Sequence, residues 1–248
     1  LRYEIQSHAS DFDNLAPRAF VTWSPGKSGQ TTIRAGAGIF HEWFDSSLYE
    51  QTLRLDGTRQ RDIVVLNPGY PDPLSGGTLV VLPGSVMSVA GRLSLPTVQR
   101  ASLGLEHRFT GWLQMRANLF TQRGSQELRS LNINAPIDGV RPEADYGTIS
   151  RIDAIGRSEK TGVDLGLNVT VPAKRIFAGL FYTYAQTKNG GDSATSLPVN
   201  GTDLATEWAA ARGDMRHRLF ANVSAPLVYG FRLNTNLRYQ SGLPYSIT

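Results

Sequence analysis

Apolar and polar residues alternate with a period of two in one segment after another of this chain. Over 31–40 the odd positions hold Thr31, Ile33, Ala35, Ala37 and Ile39, while the even ones hold Thr32, Arg34, Gly36, Gly38 and Phe40. Over 112–120, Leu113, Met115, Ala117 and Leu119 oppose Gln114, Arg116 and Asn118. Over 161–171, Val163, Leu165, Leu167, Val169 and Val171 oppose Asp164, Gly166, Asn168 and Thr170. Over 231–240, Phe231, Leu233, Leu237 and Tyr239 oppose Arg232, Asn234, Asn236, Arg238 and Gln240. Successive side chains of a strand point to opposite faces, so each segment reads as a strand with one apolar face. Weaker alternation marks 14–23, 98–108, 176–186 and 216–225. The pattern predicts an all-β chain, an antiparallel meander of about eight strands of roughly 9–11 residues, the length a tilted strand needs to cross a bilayer.

The connections alternate as well. Pro25-Gly26-Lys27-Ser28-Gly29, Phe109-Thr110-Gly111, Pro172-Ala173-Lys174-Arg175 and 226–230 are short and carry turn residues. Between them lie long connections at about 42–97, 123–147 and 188–214. Short turns at one rim and long loops at the other are the plan of an outer-membrane barrel. Within the loops, Ser47-Leu48-Tyr49-Glu50 fits a capping box for a helix that Gly57 would end, and the Ala-rich 203–212 predicts a second short helix.

Composition narrows the class. No run approaches the roughly 18 apolar residues of a membrane helix, a scan to which barrel strands are invisible. Hydrophobic content of 40% suits a wall in which alternate residues are apolar. The absence of Cys excludes a disulfide scaffold and thiolate metal sites. A net charge of +4 without a basic run gives no sign of a nucleic-acid partner. A soluble β-sandwich, acting as a binding or adhesion module, shows the same alternation with its apolar faces turned inward. Three features favour the membrane barrel. The polar face carries Arg, Asn, Gln and Gly in mid-strand; aromatics sit at strand ends on the apolar face; and three loops exceed about 20 residues.

Several motifs, in order, resemble TonB-dependent receptors of the Oar-like, carboxypeptidase-regulatory-like group. They are Asn14-Leu15-Ala16-Pro17-Arg18 with Trp23-Ser24-Pro25, the segment from Thr32 to Phe40, Ser102-Leu103-Gly104-Leu105-Glu106-His107, Leu131-Asn132-Ile133-Asn134-Ala135-Pro136, Asp214-Met215-Arg216-His217-Arg218-Leu219, and the closing Ser241-Gly242-Leu243-Pro244-Tyr245-Ser246-Ile247-Thr248. The resemblance implies a partial transmembrane β-barrel of the outer-membrane transporter type, in the 22-stranded class, with an N-terminal plug and energy supplied through TonB. Residues 1–248 then read as a fragment of that barrel domain, with signal peptide, plug and final strand expected elsewhere. The implied function is active transport of an unidentified substrate across the Gram-negative outer membrane, with outer-membrane lipid as a partner.

No catalytic motif stands out. His8, His41, His107 and His217 lack metal spacing, and Asp11-Phe12-Asp13 lacks the rest of a calcium loop, so neither an enzyme nor a metal or cofactor protein is expected. Arg216-His217-Arg218 reads either as a binding cluster or as the charged top of a strand. The candidate lumen-facing residues are Arg18, Arg34, Arg100, Arg116, Asp164, Arg218, Arg232 and Arg238, which share the polar face with Glu106. These arginines either pair with plug and neighbouring strands or make a passage suited to anionic cargo. The candidate interfacial aromatics are Trp23 and Phe231 beside the short turns, and Tyr182, Tyr184 and Tyr239 toward the long loops.

Overall fold

A computed structural model describes residues 1–6, 11–26, 29–60, 63–80 and 84–245. His8, Lys27, Ser28 and the closing Ser246-Ile247-Thr248 lie outside the described residues. In chain order the elements are β1 (Arg2–Gln6), β2 (Asp11–Ala16), β3 (Arg18–Trp23), β4 (Thr31–His41), α1 (Ser46–Arg54), β5 (Val64–Leu66), β6 (Thr78–Val80), β7 (Gly84–Val89), β8 (Thr97–Arg108), β9 (Leu113–Asn132), β10 (Tyr146–Val171), β11 (Ile176–Asn189), β12 (Ala209–Ala210), β13 (His217–Pro226) and β14 (Arg232–Gln240).

Eight strands form one antiparallel meander in the order β3-β4-β8-β9-β10-β11-β13-β14. Each is hydrogen-bonded to the next, and β3 and β14 are not bonded to each other. The sheet is therefore an open wall. Leu103, Leu165, Leu180 and Leu237 lie 40–58% exposed on it instead of meeting across an interior. That arrangement removes the sandwich alternative, which needs a second layer to cover those side chains.

The structure departs from the alternation pattern in four places. β9 and β10 run to 20 and 26 residues, so about half of the expected loop 123–147 is strand and only 133–145 connects them. The register shifts twice between β9 and β10, around Gly156, and Gln126 takes φ 57°. Each bulge inserts one residue and breaks the period of two, which hides the extension from a pattern search. At Pro17, which has no N–H to donate, the expected strand 14–23 divides into β2 and β3. The capping box is displaced: Asp45 caps α1 by accepting the Ser47 N–H at 2.7 Å. In the Ala-rich 203–212 only Leu204–Glu207 turns, as a single 3-10 turn capped by Asp203.

Above the wall, on the long-loop side, the connection between β4 and β8 packs a small core. Phe44, Leu48, Leu93 and Leu95 are buried with Ile152 of β10, and Leu128 packs alongside. β7 adds to β10 in parallel at the level of Tyr146 to Ile152. Two polar stitches bind the hairpin β1–β2 to this core. The Gln6 amide exchanges hydrogen bonds with the backbone N–H and C=O of Phe44, each 2.8 Å, and Asp11 accepts the buried Leu95 N–H at 2.6 Å.

Candidate functional site

The two faces of the wall follow from register. Trp23, Ile33, Leu105, Ala117, Leu165, Tyr182, Leu219 and Tyr239 are cross-strand partners in one unbroken row over all eight strands. The row shifted by one residue is Thr22, Arg34, Gly104, Asn118, Asp164, Thr183, Arg218 and Gln240. One row has no hydrogen-bonding group except tyrosine hydroxyls and the Trp23 indole N–H; its neighbour has no apolar side chain. A wall between lipid and water requires that split.

Along the apolar row, position within the strand changes steadily. Trp23 is the last residue of β3, at the short-turn rim, whereas Tyr239 lies seven residues above the start of β14. Seven strand steps thus climb seven residues. With a rise of about 3.3 Å per residue and a spacing of about 4.8 Å between strands, this stagger tilts the strands by about 35°. Trp23 and Tyr239 therefore reach opposite rims although they share one row. Of the interfacial aromatics, Trp23, Tyr182, Tyr184 and Tyr239 stand on the apolar face, and Phe231 directly precedes β14. Tyr182 also donates to or accepts from His217 Nδ1 at 2.8 Å.

The polar face brings together all the lumen candidates. Arg18, Arg34, Arg100, Arg116, Asp164, Arg218, Arg232 and Arg238 share it by strand parity. Their partners are unequal. Arg34 pairs with Glu106 at 2.8 Å, Arg18 approaches Glu4 at 3.9 Å, Asp164 accepts from the Thr183 hydroxyl at 2.8 Å, and Arg232 donates to Ser224 Oγ at 2.9 Å. Among the described residues Arg100, Arg116 and Arg218 have no ion pair at contact distance. Arg216 and His217 part company with Arg218: Arg216 reaches Asp214 at 3.4 Å, and His217 belongs to the apolar face. The charged top of a strand is the reading that fits.

Alternation missed a second set of residues on this face. Phe20, Phe120, Phe181 and Phe220 join Phe40, which parity had already put there, as does Lys160, which lies one residue outside the strand predicted from 161. Arg18 and Arg100 both stand over the Phe40 ring, at 4.0 and 5.0 Å, and Lys160 is 5.8 Å from that of Phe120. The large side chains lie across glycines. A Cβ on Gly36 would meet Phe20 at 3.0 Å, one on Gly162 would meet Phe120 at 2.6 Å, and ones on Gly38 and Gly166 would meet Arg18 at 2.8 Å and Arg116 at 2.7 Å. The signal was available in the sequence as Gly on one strand facing Phe or Arg on the next, but only the register pairs them. The effect is a thin, smooth wall with shallow hollows of about 420 and 380 Å³.

An open, tilted, single-layer meander with one lipid face and one hydrated cationic face is part of the wall of a large transmembrane β-barrel. Residues 5–248 match the family model described as outer membrane beta barrel domain, and the chain belongs to that family. It is an integral component of the outer membrane. Among solved structures, the outer membrane transporter YddB from Escherichia coli superposes with TM-score 0.67 at 12% identity, over 93% of this chain and 29% of that one. The FrpB iron transporter from Neisseria meningitidis (F3-3 variant) superposes with TM-score 0.52 at 12% identity, over 92% of this chain and 26% of that one. The chain thus spans less than a third of the length of either, and at these identities the likeness is one of fold. Both neighbours are described as transporters. No curated protein matches the chain by sequence.

Proposed function

We propose that this wall belongs to a plug-gated, TonB-coupled transporter whose hydrated face favours anionic cargo. The observation that carries the reading is the charge imbalance of that face. Seven arginines share it with Glu106 and Asp164; among the described residues Arg100 and Arg218 have no ion pair at contact distance, and Arg116 faces only Glu106, which Arg34 already pairs. Cations held at a low-dielectric wall raise the local concentration of anions and their rate of entry. The descriptions of the two transporter structures and the resemblance to TonB-dependent receptors support active transport. The excess of guanidinium groups over carboxylates on this face supports the sign of the cargo.

The test uses the full-length receptor with its plug deleted, in a planar bilayer under a potassium chloride gradient. The expected reversal potential is that of an anion-selective pore. Replacing Arg100, Arg116 and Arg218 together by Gln should shift it toward cations. A wild-type pore that prefers potassium would overturn the assignment of cargo charge. Uptake that persists when TonB is deleted would overturn the coupling.

A further inference from the structure

We propose that the lipid side of the wall, just above its apolar belt on the long-loop rim, holds the phosphate of an outer-leaflet lipid headgroup between Arg123, Lys188 and Arg157. The belt ends in a definite sequence of rows. Leu103, Leu119, Val163 and Tyr184 are cross-strand partners; Ala101, Thr121, Thr161 and Gln186 follow; then come Gln99, Arg123, Glu159 and Lys188. All three rows share one face by parity. Four residues separate Leu119 from Arg123, about 13 Å along the strand, which sets the third row at headgroup depth.

The cations converge there. Arg123 and Lys188 flank Glu159 on either side, and so lie about 10 Å apart at the backbone, within reach of one headgroup for side chains of their length. Arg157 stands two residues beyond Glu159 on the same strand and face, with its guanidinium 4.6 Å from the Trp208 ring. An indole at that height is the usual anchor of a membrane interface. Among the described residues Arg157 and Lys188 form no ion pair at contact distance, although Lys188 stands across from Glu159. Arg123 has only Glu159 at 3.6 Å, with the Arg123 side chain 74% exposed. A surface ion pair so open contributes little, whereas a phosphate accepts several charge-assisted hydrogen bonds at once. Because the site is continuous with the belt, the acyl chains of a bound lipid would lie on Leu119 and Val163. For that reason the occupant is a lipid phosphate and not a free anion.

The experiment takes the full-length receptor in detergent and measures, by native mass spectrometry, its retention of lipid A carrying both phosphates against the dephosphorylated form. Wild type should favour the phosphorylated lipid. The triple change R123A/R157A/K188A should weaken that retention by about tenfold, corresponding to about 1.4 kcal/mol, while heat-modifiable gel mobility stays normal. Glu159→Gln, which removes the acid from among the three cations, should act in the opposite direction and tighten retention several-fold. If the triple variant fails to fold, Lys188→Gln and Glu159→Gln still carry the test through their opposite signs. Equal retention of both lipids, a triple variant that retains as much as wild type, or a Glu159→Gln variant that binds more weakly would overturn the proposal. So would displacement of the lipid by inorganic phosphate at equal concentration.

Discussion

Gly162 has no room for a side chain: an added Cβ would meet Phe120 Cζ at 2.6 Å and Ala185 Cα at 3.0 Å. Gly162→Val should therefore destabilise the folded receptor by about 1–3 kcal/mol. The check is the temperature at which heat-modifiable mobility is lost, with Gly111→Ala unchanged as control, since nothing lies within 4 Å of a Cβ at Gly111. Glu127 makes a second prediction. It sits on β9 beyond the belt, and burial, with a smaller contribution from Glu42, pushes its carboxyl above the usual range. The folded state then holds that proton more tightly than the unfolded chain does. Stability from this group is full below the ordinary carboxylate range and falls as pH rises through the raised value. Glu127→Gln keeps an acceptor for the Ser158 hydroxyl, which donates to the carboxylate. The variant should match wild type near pH 4 and exceed it near pH 8 in resistance of the extracellular part to protease. A variant weaker at both values would mean that the ionised carboxylate is needed.

The hairpin between β9 and β10 turns on one side chain. Asn134 is fully buried and donates to the carbonyls of Glu143, Tyr146 and Gly147 at 2.9–3.0 Å, while its Oδ1 accepts the Glu143 N–H at 2.7 Å. Asn134→Ala removes this partner from the Glu143 N–H and the Tyr146 C=O, at about 1–3 kcal/mol for each one that water cannot reach, while the Glu143 C=O keeps the Tyr146 N–H and the Gly147 C=O keeps Arg141. Proteolysis within 133–147 of the otherwise folded receptor should accelerate at least tenfold. The length of β9 and β10 makes a further prediction at this scale. These 248 residues contain no Cys, so a single cysteine placed among them reports on depth once any cysteine elsewhere in the receptor is replaced. A Cys at Leu119 should resist a membrane-impermeant maleimide on intact cells, and one at Arg123 should react. Equal reactivity would place the belt edge elsewhere.

As a whole, the wall has two unpaired edges, β3 and β14. In hydrocarbon each unsatisfied N–H or C=O costs several kcal/mol, so an open sheet does not persist in a bilayer. Residues 1–248 expressed alone should collect in inclusion bodies and refold without heat-modifiable mobility or discrete conductance. A stable, ion-conducting monomer of this chain would show that these eight strands close on themselves.

Period-two alternation and the short-long rhythm of connections predicted, without coordinates, a meander of about eight strands; mid-strand arginines, aromatics at strand ends and the resemblance to TonB-dependent receptors favoured a membrane wall over a sandwich, and parity alone sorted Arg34, Asp164 and Arg238 from Leu103, Leu165 and Leu237. Those properties are local, because a strand must show one face to lipid and the other to water within a few residues. The extension of β9 and β10 was not legible, since the bulges at Gln126 and Gly156 slip the period where the extramembrane part begins. Nor was the parallel addition of β7 to β10, which joins residues some sixty apart. The phenylalanines of the hydrated face other than Phe40 were hidden for a related reason: each reads as an error of alternation until the register sets a glycine or a cation beside it. Lys188 and Arg123 likewise look like ordinary surface charges until three strands bring them to either side of Glu159. Register between strands is a long-range property, and only the tertiary structure decided which side chains face one another.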